Sequence, residues 1–236
     1  MRLIHSLKLN TIAIVPAAGI GRRMLLNFPK QYIKIRNKTI IEYTLETLLS
    51  HPNITRIIVS VHQEDIFFHK LPISSHFRVL SVIGGQKRID SVLSGLAIAK
   101  EVDWIMIHDA VRPCLTYKDL DKLIDLAQKN KFGGILARPL YDTIKYVSKK
   151  NKKVLYTLPR KNLWRALTPQ LFPIDLLRFC LQKIIKDKVD ITDESSALEY
   201  CGYSPLIIMG GEENIKVTSP EDIFFVEYYL KKLFNT

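Results

Sequence analysis

Between Pro16 and Tyr32 the chain gathers small residues and cations: Pro16-Ala-Ala-Gly-Ile-Gly-Arg-Arg-Met24, then Pro29-Lys-Gln-Tyr32. Gly19 and Gly21 leave the backbone unshielded, and Arg22, Arg23 and Lys30 add positive charge. Bare amides and cations together suit a phosphate-rich ligand, because both stabilise anionic oxygens. The loop is neither of the common glycine types. It lacks the third glycine of the dinucleotide fingerprint and an acidic residue about 20 positions later, and no Gly-Lys-Ser/Thr ending marks a Walker A loop. A structural turn would account for Gly19 and Gly21 alone, but packing gives no reason to crowd cations there. Their charges can offset a triphosphate and the charge that develops at a transferred phosphorus.

A second cluster, His108-Asp109-Ala-Val-Arg-Pro113, directly follows the apolar run Trp104–Ile107. An aspartate at the carboxyl end of a strand in an open α/β sheet is well placed to bind a hard cation such as Mg²⁺ and bridge it to nucleotide phosphates. Asp109 read as a helix cap is the alternative. His108 reads as a packed or hydrogen-bonded histidine rather than a base, and Arg112 as a phosphate ligand or a surface ion-pair partner. Gly84-Gly85-Gln-Lys-Arg88 with Ser91 forms a third strand-end loop, which could close over a base or sugar or simply turn and cap a helix. Arg160, Thr168-Pro-Gln170, Thr192-Asp-Glu194 and Asn214-Ile-Lys-Val-Thr218 are later polar groups, each weak on its own. No Gly-x-Ser-x-Gly elbow or adjacent Cys/His pair points to covalent catalysis.

These residues need a frame, and the sequence supplies one. Ile12–Val15, Ile57–Val61, Val79–Ile83, Trp104–Ile107 and Gly133–Ala137 read as short buried strands. Segments 40–49, 91–100 and 120–129 carry apolar residues at helical spacing between them. That βα alternation predicts a Rossmann-like, mostly parallel sheet in a three-layer α/β sandwich with right-handed crossovers. Thr143–Val147 and Val154–Leu158, on either side of a lysine-rich turn, read as a hairpin whose apolar face needs cover. Residues 139–160 are therefore expected to form an arm used in dimerisation within a single domain of residues 1–236; a hairpin folded back on its own body is the alternative. Helices are expected over 175–186 and from 193, with Thr192 or Asp193 as N-cap, then a strand at Leu206–Met209. Ser219-Pro-Glu-Asp predicts a closing helix capped by Ser219 with Pro220 at its first position.

Bulk properties exclude several classes. With 47% apolar and 25% charged residues among 236, the chain has the balance of a globular protein. Its apolar runs are too short and too often interrupted to reach the roughly 20 residues of a membrane span. With no signal-peptide core, a cytoplasmic protein is expected. The formal charge of +12 is dispersed, with one dense run at Lys149–Lys153, so nucleic-acid binding is not expected and attraction for small anions is. Three cysteines without metal spacing suggest neither a disulfide framework nor zinc.

Taken in order, Pro16-Ala-Ala-Gly-x-Gly-x-Arg-Met24, Pro29-Lys-Gln-Tyr32, Gly84-Gly85…Arg88-x-x-Ser-Val92, His108-Asp-Ala-x-Arg-Pro113, Leu167-Thr-Pro-Gln170, Thr192-Asp-Glu194 and Asn214-Ile-Lys-Val-Thr218 resemble the 2-C-methyl-D-erythritol 4-phosphate cytidylyltransferase family. The resemblance covers nearly the whole chain. It implies the nucleotidyltransferase type of fold and a Mg²⁺-dependent transfer of a cytidylyl group from CTP to 2-C-methyl-D-erythritol 4-phosphate, a step of non-mevalonate isoprenoid biosynthesis. By the family pattern, Arg23 and Lys30 would meet the CTP phosphates and the transition state, and Asp109 the metal. Ala17, Ala18, Gly19, Gly21, Gly85 and Ser91 would complete the nucleotide site. Arg112, Thr143, Arg160, Thr168, Thr192 and Lys216 fall on the acceptor side, with Thr143 and Arg160 reaching a neighbouring subunit in a homodimer. The chain departs from the pattern at Gln86, where an aspartate is usual, and at Val111, where an alanine is. The rival reading is a transferase for another sugar or polyol phosphate, and a basic partner-binding protein is the non-enzymatic one.

Overall fold

The computed structural model describes residues 9–19 and 28–234. Strand β1 (Thr11–Pro16) buries Ala13 and Val15 on one face and Ile12 and Ile14 on the other. A strand apolar on both faces belongs inside a covered sheet, which is where β1 lies. After the short turn at Lys30–Tyr32, β2 (Lys34–Ile35) and β3 (Lys38–Thr39) make a small hairpin that feeds α1 (Ile40–Ser50). The Thr39 N–H donates to the Glu42 carboxylate at 2.8 Å, fixing where that helix begins. The alternation continues through β4 (Ile54–Val61), β5 (Val79–Ile83), α2 (Arg88–Ile98), β6 (Trp104–Ile107) and α3 (Tyr117–Lys129).

The second half departs from simple alternation. It runs β7 (Gly134–Pro139), β8 (Ile144–Val147), β9 (Val154–Leu158), β10 (Trp164–Pro173), α4 (Ile174–Asp187), α5 (Glu194–Tyr200), β11 (Leu206–Met209) and α6 (Asp222–Phe234). The main sheet has seven strands in the order β11-β7-β10-β6-β1-β4-β5. Every neighbouring pair is parallel except those of β10, which is antiparallel to both β6 and β7. Helices α1 and α3 cover one face, and α2, α4 and α5 the other, giving the expected three layers. A third apolar cluster joins Ile40, Val111, Cys114 and Val217 to Val226 and Leu230 of α6.

The stretch Leu167–Gln170 reads in the sequence only as a polar site and is assigned there to no element. It lies inside β10, where the register with β7 shifts between Ala166 and Gln170. An irregularity of that kind is the place in a central strand where a proline is tolerated. At the last helix the Asp222 carboxylate accepts the N–H groups of Thr218 at 2.7 Å and Ser219 at 2.8 Å, the reciprocal bond of a capping box whose cap is Ser219.

Strands β8 and β9 pair only with each other, so the hairpin stands apart from the main sheet. Tyr146 and Tyr156 stack at 4.8 Å between ring centroids, and both remain half exposed with Val154 and Leu155 beside them. Neither strand adds to the main sheet among the described residues. The lysines of 149–153 form the tip.

Candidate active site

Asp109 follows β6 and is 5% exposed, yet it is no helix cap. Arg88, from the first turn of α2, contacts its Oδ1; Arg112 Nε and Lys216 Nζ each lie 3.0 Å from its Oδ2. Burial alone would disfavour the charged carboxylate, but Arg88, Lys216 and Arg112 outweigh it and hold its pKa far below the usual carboxylate range. Arg88 is itself forked onto Glu194 at the start of α5, at 3.2 and 3.0 Å, and its pKa lies above the ordinary value despite burial. Three cations thus face two nearly buried carboxylates, leaving a cationic surplus where the resemblance expects phosphates.

The strands fix this group from behind. Thr168 of β10 accepts the Asp109 N–H at 3.0 Å and lies 3.0 Å from Nδ1 of His108, while its carbonyl accepts the Asn214 amide at 2.8 Å. Arg112 Nη1 donates to the Asn214 carbonyl at 2.8 Å, and the Val217 N–H to the Val111 carbonyl at 2.9 Å. Two positions further along β10, Gln170 donates to Asp193 at 2.8 Å and accepts the Ser195 N–H at 2.9 Å, locking the start of α5. Asp193, not Thr192, caps that helix through the Ser196 N–H at 3.0 Å. His108 is fully buried, and burial pushes its pKa down to about 3 despite neighbouring Asp109. It is the hydrogen-bonded histidine the sequence suggests.

In front of Asp109 opens a cleft of about 380 Å³. Ala17, Ala18, Gly19, Lys30, Gly85, Ser91 and Lys216 line it, as do Gln86 and Val111, the two departures from the family pattern. Among the described residues, Gly19 has no neighbour within 4 Å of where a Cβ would stand. Gly85 is different: a Cβ there would meet Asp90 at 2.2 Å, and its N–H donates to the Ser91 hydroxyl at 3.2 Å. Val111 sits buried in the third apolar cluster, which takes up its extra bulk. Lys30 Nζ donates to the Val217 carbonyl at 2.7 Å, tying the Lys30–Tyr32 turn to the segment that carries Lys216.

The structure therefore brings Ala17, Ala18, Gly19, Lys30, Gly85, Ser91, Asp109, Arg112, Thr168 and Lys216 to one place. Gly21 and Arg23 lie outside the described residues. Thr192 faces an adjoining cleft of about 570 Å³, which shares Gln86, Lys87 and Arg88 with the first. Thr143 and Arg160 lie exposed on the arm, with Arg160 donating to the Tyr141 carbonyl, and neither is among the residues lining the two clefts. Reading the sequence by residue type misses Arg88 and Glu194 as partners. Each sits in a quoted block, but nothing in one sequence pairs positions so far apart.

The donor set fits a magnesium ion of a particular kind. Among the described residues no three His, Cys, Asp or Glu side chains gather into a metal cage. Asp109 uses Oδ1 for Arg88 and Oδ2 for both Arg112 and Lys216, which leaves Oδ1 a further lone pair. One carboxylate oxygen suffices for Mg²⁺ that is carried mainly by nucleotide phosphates and water.

Residues 11–232 match the sequence model of IspD, 2-C-methyl-D-erythritol 4-phosphate cytidylyltransferase. The chain belongs to this family. A cytidylyltransferase of that name from Buchnera aphidicola subsp. Schizaphis graminum (strain Sg) is 67% identical over 233 residues, 99% of each chain. One from Serratia proteamaculans (strain 568) is 48% identical over 224 residues, 95% of each. Among solved structures, a 4-diphosphocytidyl-2C-methyl-D-erythritol synthase superposes with TM-score 0.80 at 37% identity, over 95% of this chain and 100% of the other. The Francisella tularensis cytidylyltransferase does so with TM-score 0.82 at 33% identity, over 93% and 99%. The mostly parallel sheet with flanking helices and a β-arm is thus the nucleotidyltransferase fold of the IspD family.

Proposed function

We propose that the cleft around Asp109 performs the reaction that gives the family its name. The activity follows from family membership: the chain is a cytidylyltransferase that uses CTP and 2-C-methyl-D-erythritol 4-phosphate in non-mevalonate isoprenoid biosynthesis. The assignment of roles to residues is our own reading, and the convergence of Arg88, Arg112 and Lys216 on one buried carboxylate carries it.

An acceptor phosphate oxygen attacks the α-phosphorus of CTP, a new P–O bond forms, and the bond to the β-phosphate oxygen breaks to release pyrophosphate. The nucleophile is already anionic, so no general base is needed. Alignment and charge neutralisation are what the protein must supply. Ala17, Ala18, Gly19, Gly21, Gly85 and Ser91 form the nucleotide side, with Lys30 and Arg23 on the phosphates and the transition state. Lys216 and Arg112 draw in the acceptor phosphate, and Thr192 faces the acceptor. Thr168 works from behind Asp109. Asp109 would hold Mg²⁺, which when bound neutralises triphosphate charge.

The β-arm completes the site in a homodimer, with Thr143 and Arg160 serving the partner's cleft. Exposed apolar residues on the arm support that reading, since a hairpin with an uncovered face calls for a partner. No described helix is long and apolar enough to cross a membrane, and we place the enzyme in the cytoplasm with no nucleic-acid partner. The test is pyrophosphate release from each nucleoside triphosphate with 2-C-methyl-D-erythritol 4-phosphate, with and without a chelator. Release is expected with CTP and metal only; equal rates with ATP would refute the nucleotide assignment, and undiminished rates in chelator the metal's role.

A further inference from the structure

His108 and Thr168 form a hydrogen-bond relay behind Asp109 whose direction can be worked out from its ends. The Arg112 carbonyl, 3.3 Å from His108 Nε2, can only accept, so Nε2 carries the ring hydrogen. A neutral ring then presents Nδ1 as an acceptor, and the group facing it at 3.0 Å is the Thr168 hydroxyl. Thr168 must therefore donate its one hydrogen to His108. Its oxygen in turn accepts the Asp109 N–H at 3.0 Å. Both side chains are buried, His108 fully, and a dry interior favours the uncharged ring. A hydroxyl has a single hydrogen to give, so Thr168 holds none for a substrate oxygen.

We infer that His108 and Thr168 are positioning residues for the transfer reaction, acting through the Asp109 backbone rather than on either substrate. The relay fixes the peptide that carries Asp109, and with it the point where Arg88, Arg112 and Lys216 meet. It also explains a fully buried histidine beside the site that no step of the chemistry uses. The inference rests on the function proposed above and refines the part Thr168 plays in it.

The test compares Thr168→Val, Thr168→Ser, His108→Asn and His108→Leu in the full chain, each checked for folding by circular dichroism and melting. Asparagine can place a carbonyl oxygen near the position of Nδ1; leucine removes that acceptor. Thr168→Val is expected to lower kcat on the order of tenfold to a hundredfold, as a small misplacement of reacting groups does, with KM for both substrates within about twofold. Thr168→Ser and His108→Asn should keep most of kcat. His108→Leu should reproduce the valine loss, and the Leu/Val double variant should be no worse than either, because both cut one relay. A Thr168→Val enzyme with normal kcat and a raised KM for the acceptor phosphate would overturn the inference, since the hydroxyl would then touch substrate. So would valine and serine variants of equal activity, or multiplying losses in the double variant. If His108→Leu does not fold, the valine–serine comparison with its split between kcat and KM decides alone. A wild-type chain that does not release pyrophosphate would refute the proposed function instead.

Discussion

Asp109 is a carboxylate held ionised by its cationic neighbours, two of which, Arg88 and Lys216, line the cleft as well. Lys30 shows the same economy: it reaches the Val217 carbonyl and lines the same cleft. Replacing Lys30 with alanine should leave the fold intact and reduce kcat about 100- to 1,000-fold, as loss of one charge-stabilising donor does; steady-state kinetics on a folded variant check this. Glu194 tests the other end of the group. It is nearly buried, and Glu194→Ala strands the Arg88 guanidinium without its fork. Breaking a buried pair costs about 3–5 kcal/mol; with 28% of the Arg88 side chain exposed, about 2–3 kcal/mol is expected, read as a lower midpoint in urea. Lys30 and Asp109 could be singled out in the sequence because charge at a strand end has few structural uses, whereas Lys216 stood out only through the family resemblance. The Arg88–Glu194 pair could not, because its members are 106 positions apart.

At the scale of elements, Asp222 links the last helix to the site. Its carboxylate gathers the Thr218 and Ser219 N–H groups next to the segment carrying Lys216, and α6 buries Val226 and Leu230 against Val217. Burial works upward on its pKa, but the hydrogen bonds from Thr218 and Ser219 outweigh it and leave the pKa below the ordinary value. A depressed carboxylate pKa stabilises the fold above the unfolded-state value, about 4, and that stability fades as pH falls through the folded-state value. Asp222→Asn should therefore cost about 1–2 kcal/mol at neutral pH, with the difference from wild type shrinking below about pH 4. Melting curves across pH measure it. The parallel strands were legible because each is a short apolar run between helical periods. Strand β10 was not: its site residues Thr168 and Gln170 face polar partners, and its proline sits where the ladder with β7 is irregular. The start of α6 was legible in Ser-Pro-Glu-Asp, whose Asp222 carboxylate takes the Ser219 N–H.

At the scale of the molecule, the exposed arm makes the proposed homodimer testable without a structure of it. An Asp109→Asn chain and an Arg160→Ala chain should each be nearly inactive. Mixed and allowed to exchange subunits, they should regain activity, because one hybrid site combines an intact Asp109 with an intact arm from the other chain. Absence of recovery, with mixed dimers present by mass spectrometry, would place Arg160 in its own subunit's function. The main sheet carries a further consequence through β10. This one strand supports the Asp109 turn through Thr168, the Asn214 segment through the Thr168 carbonyl, and the start of α5 through Gln170. Nucleotide and acceptor sides are thus not separately adjustable modules. Selection for a different acceptor would find its freedom at exposed Thr192 and on the arm, while Thr168 and Gln170 stay fixed; the route to new specificity runs along the rim of the site and leaves its spine alone.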